Sequence, residues 1–448
     1  MKKDRTKFFR DPVHGFIEVR PYEREIIDSP VFQRLRKIHQ LSFGSLVYHG
    51  AEHSRFGHSL GVMHLASRML QNALRNTSEF ETDSASYDET DEKKLRVAAL
   101  LHDVGHPPFS HALEKSVFPK HENYSSALIK GPLASLIEKA EMNPREISSL
   151  VQGISDPKKS YLAKILSSQL DADRMDYLMR DSHYTGVMYG VFDLQRLILS
   201  ITVRSGNLVV LQKGLYAADQ FLISRFYMYE QVYLHRVKRA FEGMARLFAE
   251  SAEKGSLGYP SEKELGSETG LSRFLTCDDE WFMNTLRDQS SSETVRGRIA
   301  DQIMRRIPYK KIIGSDDIRH IYAKRESWSE DTGRSGIDFL RKTLTDKLEE
   351  LHVDSLEILY DSYRNLPFIL RPYSKPAGPE SPEEESYSPL LVYDEQTNSL
   401  TPIEDISTAI KSLSVGVPRI SRIYAARDVH GKLNKIVDEY KKSIDSEQ

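Results

Sequence analysis

Lys94-Leu95-Arg96-Val97-Ala98-Ala99-Leu100-Leu101-His102-Asp103-Val104-Gly105-His106-Pro107-Pro108-Phe109-Ser110-His111 is the stretch from which the rest of the chain can be read. Projected at about 100° per residue, Leu95, Val97, Ala98, Ala99, Leu100 and Leu101 cover every side of a helix. A helix that is apolar all round is buried, so His102 and Asp103 stand at the inner end of a core helix. A carboxylate there costs several kcal/mol unless a positive partner offsets it. A divalent cation is the simplest such partner, and its other donors have to come from elsewhere in the chain.

Two further segments offer them. In the helix that follows Arg55-Phe56-Gly57-His58, His58 shares a face with Val62, Leu65 and Met69. Taken singly, a histidine there is more often a satisfied core residue. Asp171-Ala172-Asp173-Arg174 opens a third helix, in which Asp173, Arg174, Tyr177, Arg180 and Asp181 fall within about 120° of arc. Met175, Leu178 and Met179 lie opposite, so this set reads equally as a solvated face. Together His58, His102, Asp103 and Asp173 supply two imidazoles and two carboxylates. That mixed set suits one Mn, Fe, Ni, Zn or Mg ion, with positions left for water and phosphate. Such an ion lowers the pKa of bound water and polarises a phosphoryl oxygen. The chain therefore reads as a metal-dependent hydrolase.

At 448 residues the chain suits one large helical domain with an appendage, or two lobes. Its 39% hydrophobic and 28% charged residues place it with ordinary soluble globular proteins. A net charge of −3 gives no global field for nucleic acid or membrane surfaces, so neither is an expected partner. The single cysteine, Cys277, excludes an internal disulfide framework and fits a reducing compartment. No histidine or motif surrounds it, so it reads as a small semi-buried side chain. The charged start Met1-Lys2-Lys3-Asp4-Arg5-Thr6-Lys7 lacks a following apolar segment, and no run approaches about 18 apolar residues. The expectation is a cytoplasmic enzyme.

Along the chain, residues 6–21 suggest a short hairpin around His14-Gly15. From 30 to about 250 the pattern is mainly helical, and Asp28-Ser29-Pro30 signals a helix start before 31–40. Residues 77–93 read as a solvated loop, 197–203 and 208–211 as two strands joined by a turn, and 214–250 as one long aromatic-rich helix. A soft stretch at 255–270 marks a hinge or lobe boundary, and a second covers 376–389. Strands are expected at 390–393 and 419–425, and a last helix at 431–442. The fold class is mainly α with small β-hairpins. Residues 1–250 form the hydrolase domain with its N-terminal hairpin. Residues 251–448 form an α+β lobe, packed on that domain and serving oligomerisation.

The motifs carry a family likeness. Phe32-Gln33-Arg34-Leu35-Arg36, Gln40-Leu41, Ser54-Arg55-Phe56-Gly57-His58-Ser59-Leu60-Gly61-Val62, Gly105-His106-Pro107-Pro108-Phe109-Ser110-His111 and the 171–181 segment resemble the HD-domain phosphohydrolases. Among these they are most similar to the deoxynucleoside-triphosphate triphosphohydrolases, both bacterial dNTPases and the type that joins a SAM domain to an HD domain. The likeness runs from about residue 7 to 240, and no SAM domain is read in the chain. It implies a helical HD fold and hydrolysis of a dNTP to a deoxynucleoside and inorganic triphosphate. Cofactors would be one divalent ion per subunit and additional Mg with the nucleotide.

By matching, Arg55, Arg174 and Arg225 bind phosphates, and Tyr177 lies near them. His106 and His111 line the site. His121 is the proton donor to the leaving sugar oxygen, oriented by Glu114, which stands where the family often has Asp. Gln40, Leu41 and Asp181 meet the 3′ side of the sugar, and Tyr233 crowds the 2′ position. Leu234 replaces a polar residue at the base. The resemblance also implies a homo-oligomer, dimer or tetramer, with a nucleotide activator between subunits. Lys7, Asp28, Gln33, Arg36 and Lys213 match parts of those sites, while Phe8 and Arg10 replace smaller or neutral residues there. Two other readings stand beside this one: a phosphohydrolase or phosphodiesterase acting on another nucleotide, and a nucleotide sensor without turnover.

Overall fold

The helix that holds the metal-binding candidates is as buried as its composition demands. Leu95 and every residue from Val97 to Leu101 are fully buried. The computed structural model describes residues 5–78, 88–114, 117–253, 256–315, 317, 330–363, 389–414 and 420–446. They form a mainly α fold with small β parts, in two compact units. The first unit comprises 1–230, 258–279 and 370–415; the second comprises 231–257, 280–369 and 416–448.

In the first unit, β1 (Lys7–Asp11) and β2 (Gly15–Val19) pair antiparallel, Lys7 facing Val19 and Asp11 facing Gly15. This is the expected hairpin. Asp11 Oδ1 accepts the amides of Val13 and His14, each at 2.9 Å, and Gly15 closes the turn at φ +78°. Ser29 caps the next start by accepting from the Phe32 amide, with Pro30 first in the helix. That helix is one turn long (Pro30–Gln33), continues as 3-10 (Arg34–Lys37) and stops short of 40. Tertiary pairing ends it: Ile38 carbonyl accepts Arg55 amide, and Gln40 amide donates to His53 carbonyl, both at 3.0 Å.

The Arg55–Ser78 helix runs through the centre, packed on Glu89–Leu101 and Ala172–Thr185. The expected loop at 77–93 is shorter at both ends. Thr77 stays helical and buried, its hydroxyl donating to Ala73 carbonyl. Asp88 caps the next helix, so Glu89 to Lys93 are its first residues. Glu92 looked solvated but is buried, accepting from Arg20 at 2.9 Å and Ser67 at 2.5 Å. Residues 79–87 lie outside the described residues.

A four-stranded sheet orders β3 (Ile201–Arg204), β4 (Asn207–Leu211), β7 (Leu391–Asp394) and β8 (Ser399–Pro402), with β4 and β7 parallel. Residues 197–199 are helical rather than extended, because Asp193 caps a helix at Leu194–Leu199. The long helix expected over 214–250 is broken into Leu215–Met228, a π turn at Tyr229–Tyr233 and Arg236–Glu250. His235 restarts it, its side chain accepting from the Val237 amide. The chain passes back into the first unit at 257–258, inside the soft stretch 255–270, where Tyr124 Oη donates to Pro260 carbonyl at 2.6 Å.

In the second unit β9 (Ile420–Ala425) sits between β5 (Lys310–Gly314) and β6 (Ile358–Tyr363), antiparallel to both. The final helix, Arg427–Ser446, is longer at both ends than 431–442. Of the soft stretch 376–389, all but Pro389 lies outside the described residues.

Candidate active site

Three segments far apart in sequence meet at Asp103. Its Oδ2 accepts from Arg55 Nη1 at 2.5 Å and lies 3.6 Å from His58 Nε2. Its Oδ1 lies 3.3 Å from His102 Nε2 and 3.1 Å from His106 Nδ1. Asp173 Oδ1 closes the group, 3.0 Å from His58 Nε2 and 3.8 Å from His102 Nε2. The donors of His58, His102 and Asp103 all lie within 4.8 Å of one another. All four predicted metal-binding residues are thus brought together.

The donor chemistry fits a cation. His102 Nδ1 donates to Ala99 carbonyl at 2.7 Å, which leaves the lone pair on Nε2. That buried Nε2 has no hydrogen-bond partner among the described residues. Burial disfavours protonation of His58, yet Asp173 and Asp176 outweigh it and lift its pKa to about 10. Burial pushes Asp103 up, but Arg55, His102 and His106 hold it well below the usual carboxylate range. Asp173 is likewise held low, by His58 and His102 against burial. Ionised carboxylates beside imidazole nitrogens are a setting for a divalent ion.

A histidine cluster continues from Asp103. The rings of His106 and His121 stack at 3.8 Å, and His111 stands 5.0 and 5.3 Å from them. Glu114 bridges His111 Nδ1 at 2.5 Å and His121 Nδ1 at 2.8 Å. Against the cost of its burial, these two histidines hold Glu114 far below the usual range. Glu114 in turn raises His121, whereas burial, then Arg55, pushes His106 well down.

The loop carrying His106 is braced from a distance. Arg34 donates to the carbonyls of His106 (2.8 Å), Phe274 (2.9 Å) and Cys277. Asp279 accepts from Phe109 amide at 2.6 Å and binds His39 Nδ1 at 2.7 Å. These bonds hold Phe109 and Ser110 at φ 54° and 53°, in the left-handed region. The Cys277 thiol is buried and pushed up to about 11, as befits an inert side chain.

The candidate substrate residues divide. Arg55 is committed to Asp103 and, at 2.7 Å, to Ser110 Oγ. Arg174 pairs with Asp171. Arg225 is buried, donates to Gln169 at 2.9 Å, and is lowered by burial and by Arg174 beside it. Tyr177 is raised by burial, then by Tyr229. Leu41 is buried, and Gln40 Oε1 has no hydrogen-bond partner among the described residues. Asp181 is buried against His53 Nε2 at 2.8 Å. Tyr233 ends the π turn, in the second unit.

Of the candidate activator residues, Gln33 accepts from Arg36 at 2.8 Å and donates to Ile27 carbonyl at 2.7 Å, next to exposed Asp28. Lys7 and Lys213 are exposed elsewhere on the first unit. Phe8 is 64% exposed, and the Arg10 guanidinium lies 4.8 Å from the Phe16 ring.

Sequence reasoning missed Asp176, whose carboxylate binds His58 Nδ1 at 2.8 Å and His14 Nε2 at 2.6 Å. The solvated-face reading of this helix is corrected by the same network: Asp176, Arg180 and Asp181 are 0, 1 and 2% exposed. The signal available was the four-residue spacing of Asp176 and Arg180, which places an ion pair on one face.

Comparison with known proteins places these features. A family model for the HD domain matches residues 55–181, and one for an HD associated region matches 192–361. The protein YwfO of Bacillus subtilis, uncharacterized, is 38% identical over 245 residues, 54% of either chain. The deoxynucleoside triphosphate triphosphohydrolase SAMHD1 homolog of Dictyostelium discoideum is 34% identical over 252 residues, 53% of this chain and 48% of its own. This chain thus spans about half the length of such relatives. SAMHD1 of Gallus gallus is 26% identical over 467 residues, 94% of this chain and 70% of its own. A hypothetical protein from Aquifex aeolicus has a TM-score of 0.71 at 27% identity, covering 96% of this chain and 99% of its own. A phosphohydrolase from Bacteroides thetaiotaomicron has a TM-score of 0.71 at 25% identity, covering 94 and 100%. Among the described residues no helix is long and apolar enough to cross a membrane.

Proposed function

Since the chain belongs to the HD-domain phosphohydrolase superfamily, we propose that it hydrolyses deoxynucleoside triphosphates to a deoxynucleoside and inorganic triphosphate. The observation that carries this is the position of Asp103. Its Oδ1 joins the metal-binding candidates to the acid–base histidines through His106, at 3.1 Å. The choice of a deoxynucleotide is supported by the relative from Gallus gallus, a deoxynucleoside triphosphate triphosphohydrolase alignable over 94% of this chain.

His58, His102, Asp103 and Asp173 would hold one divalent ion. When bound, it supplies Lewis-acid polarisation of a phosphoryl oxygen and an activated water. The remaining work falls to the chain. Arg174, paired with Asp171, and Arg225 meet the triphosphate, whose negative charge offsets the repulsion between the two guanidiniums. His121 donates its proton to the departing 5′ oxygen, helped by Glu114, which raises the imidazole pKa against the cost of burial. Cytoplasmic action as a homo-oligomer, with a nucleotide activator bound at Lys7, Asp28, Gln33, Arg36 and Lys213, belongs to the same proposal.

The test is release of inorganic triphosphate from each of the four dNTPs with Mn or Mg present. No release from any of them, with a guanine nucleotide supplied, would falsify the proposal. Equal turnover of ribonucleotides would move it to a broader nucleotide class. A pH profile tests the donor. Because Glu114 raises His121, activity should persist above the ordinary imidazole pKa of about 6.5 and fall at higher pH. Glu114→Gln removes that charge, so the alkaline limb should move to lower pH. An unmoved limb would exclude His121 as the donor.

A further inference from the structure

We propose that His14, in the turn of the N-terminal hairpin, is a positioning residue for His58. Acting through Asp176, it fixes which nitrogen of His58 is free to take a cation. The inference rests on the reading that His58, His102, Asp103 and Asp173 hold a divalent ion.

Asp176 is fully buried. An ionised carboxylate offers about four acceptor directions and no donor, and here all four are used. Oδ1 accepts from His14 Nε2 at 2.6 Å and Arg180 Nη2 at 2.9 Å. Oδ2 accepts from His58 Nδ1 at 2.8 Å and Arg180 Nε at 2.9 Å. His58 Nδ1 must therefore carry a proton, so Nε2, which faces Asp173 and Asp103, is the nitrogen that can exchange its proton for a cation. A carboxylate behind a ligating imidazole fixes its tautomer and its plane.

What steadies Asp176 comes partly from its own helix and partly from far away. Arg180 stands one turn on, and its guanidinium is pinned by Asp11 at 2.9 and 3.2 Å. His14 arrives from 162 positions upstream. Asp11 shapes that arrival as well, since it caps the Val13 and His14 amides that form the turn. One aspartate thus builds the turn that presents His14 and anchors the arginine that flanks Asp176. The hairpin reaches the centre through Asp176 although it contributes none of the four candidate ligands.

Docking of the hairpin alone would predict lost stability and unchanged metal affinity, so metal affinity is the discriminating readout. In the full chain, Mn²⁺ affinity is measured by competition with a chelator and elemental analysis, beside a thermal melt. His14→Phe keeps a ring and removes the donor; it should weaken Mn²⁺ binding about 10–100-fold. His14→Gln restores an N–H toward Asp176 and should bind Mn²⁺ close to wild type. Unchanged affinity in His14→Phe overturns the inference, as does equal weakening in Phe and Gln. Should His14→Phe not fold, Asp176→Asn is expected to show the same weakening, and wild-type affinity there overturns the inference too. His58→Ala separates the two readings. Lost Mn²⁺ in that variant keeps the centre while His14 is judged alone; undiminished Mn²⁺ sinks both.

Discussion

Asp103→Ala should leave a protein that takes up no divalent ion and releases triphosphate at least about 10³-fold more slowly. Four side chains depend on this carboxylate: Arg55, His58, His102 and His106 are within 3.6 Å of its oxygens. Removing it also strips the buried Arg55 guanidinium of its counter-ion, with Ser110 its remaining side-chain partner among the contacts described. Orphaning one member of a buried pair costs about 3–5 kcal/mol, so chemical denaturation should show a loss of that order. Metal content, triphosphate release and denaturation midpoint are read on the same preparation. An Ala variant that retains the ion and a tenth of the activity would show that Asp103 is a structural residue alone.

Gly61→Ala should destabilise the protein by about 3 kcal/mol or more, although a glycine-to-alanine change inside a helix ordinarily stabilises by about 1 kcal/mol. Gly61 lies in the Arg55–Ser78 helix. A Cβ there would stand 1.8 Å from Asp176 Oδ1 and 2.7 Å from Arg180 Nη2. Neither atom can retreat without breaking the network that orients His58. The sign of the effect is what the experiment reads, by guanidinium denaturation. Stabilisation, or a change below about 0.5 kcal/mol, would mean that Asp176 does not occupy this position.

Both predictions concern residues whose importance the sequence showed unequally. Asp103 was legible because an apolar helix with a carboxylate at its end is a local contradiction, and contradictions point to a ligand. Gly61 was visible only as part of a motif; what it makes room for is a side chain on another helix. The hairpin at 7–19 and the strands near 391 and 420 were legible too, since alternation and turn residues act over a few positions. The broken helix at 229–235 and the helix at 194–199 were not, because His235 and Asp193 are caps hidden in apolar runs. The one-turn helix at 30–33 ends through pairing with residues 53–55, which no local propensity encodes.

The sequence by itself determined that His102 and Asp103 stand at the inner end of a buried helix, since burial follows from an all-round apolar pattern and the cost of a lone charge, and it named His58 and Asp173 as their partners. Only the tertiary structure decided how those groups are aimed. His14 lies 162 positions from Asp176, Arg34 lies 72 from His106, and Asp279 lies 170 from Phe109. Hydrogen bonds between such distant residues leave no period in the chain, because their partners become neighbours only when the helices pack.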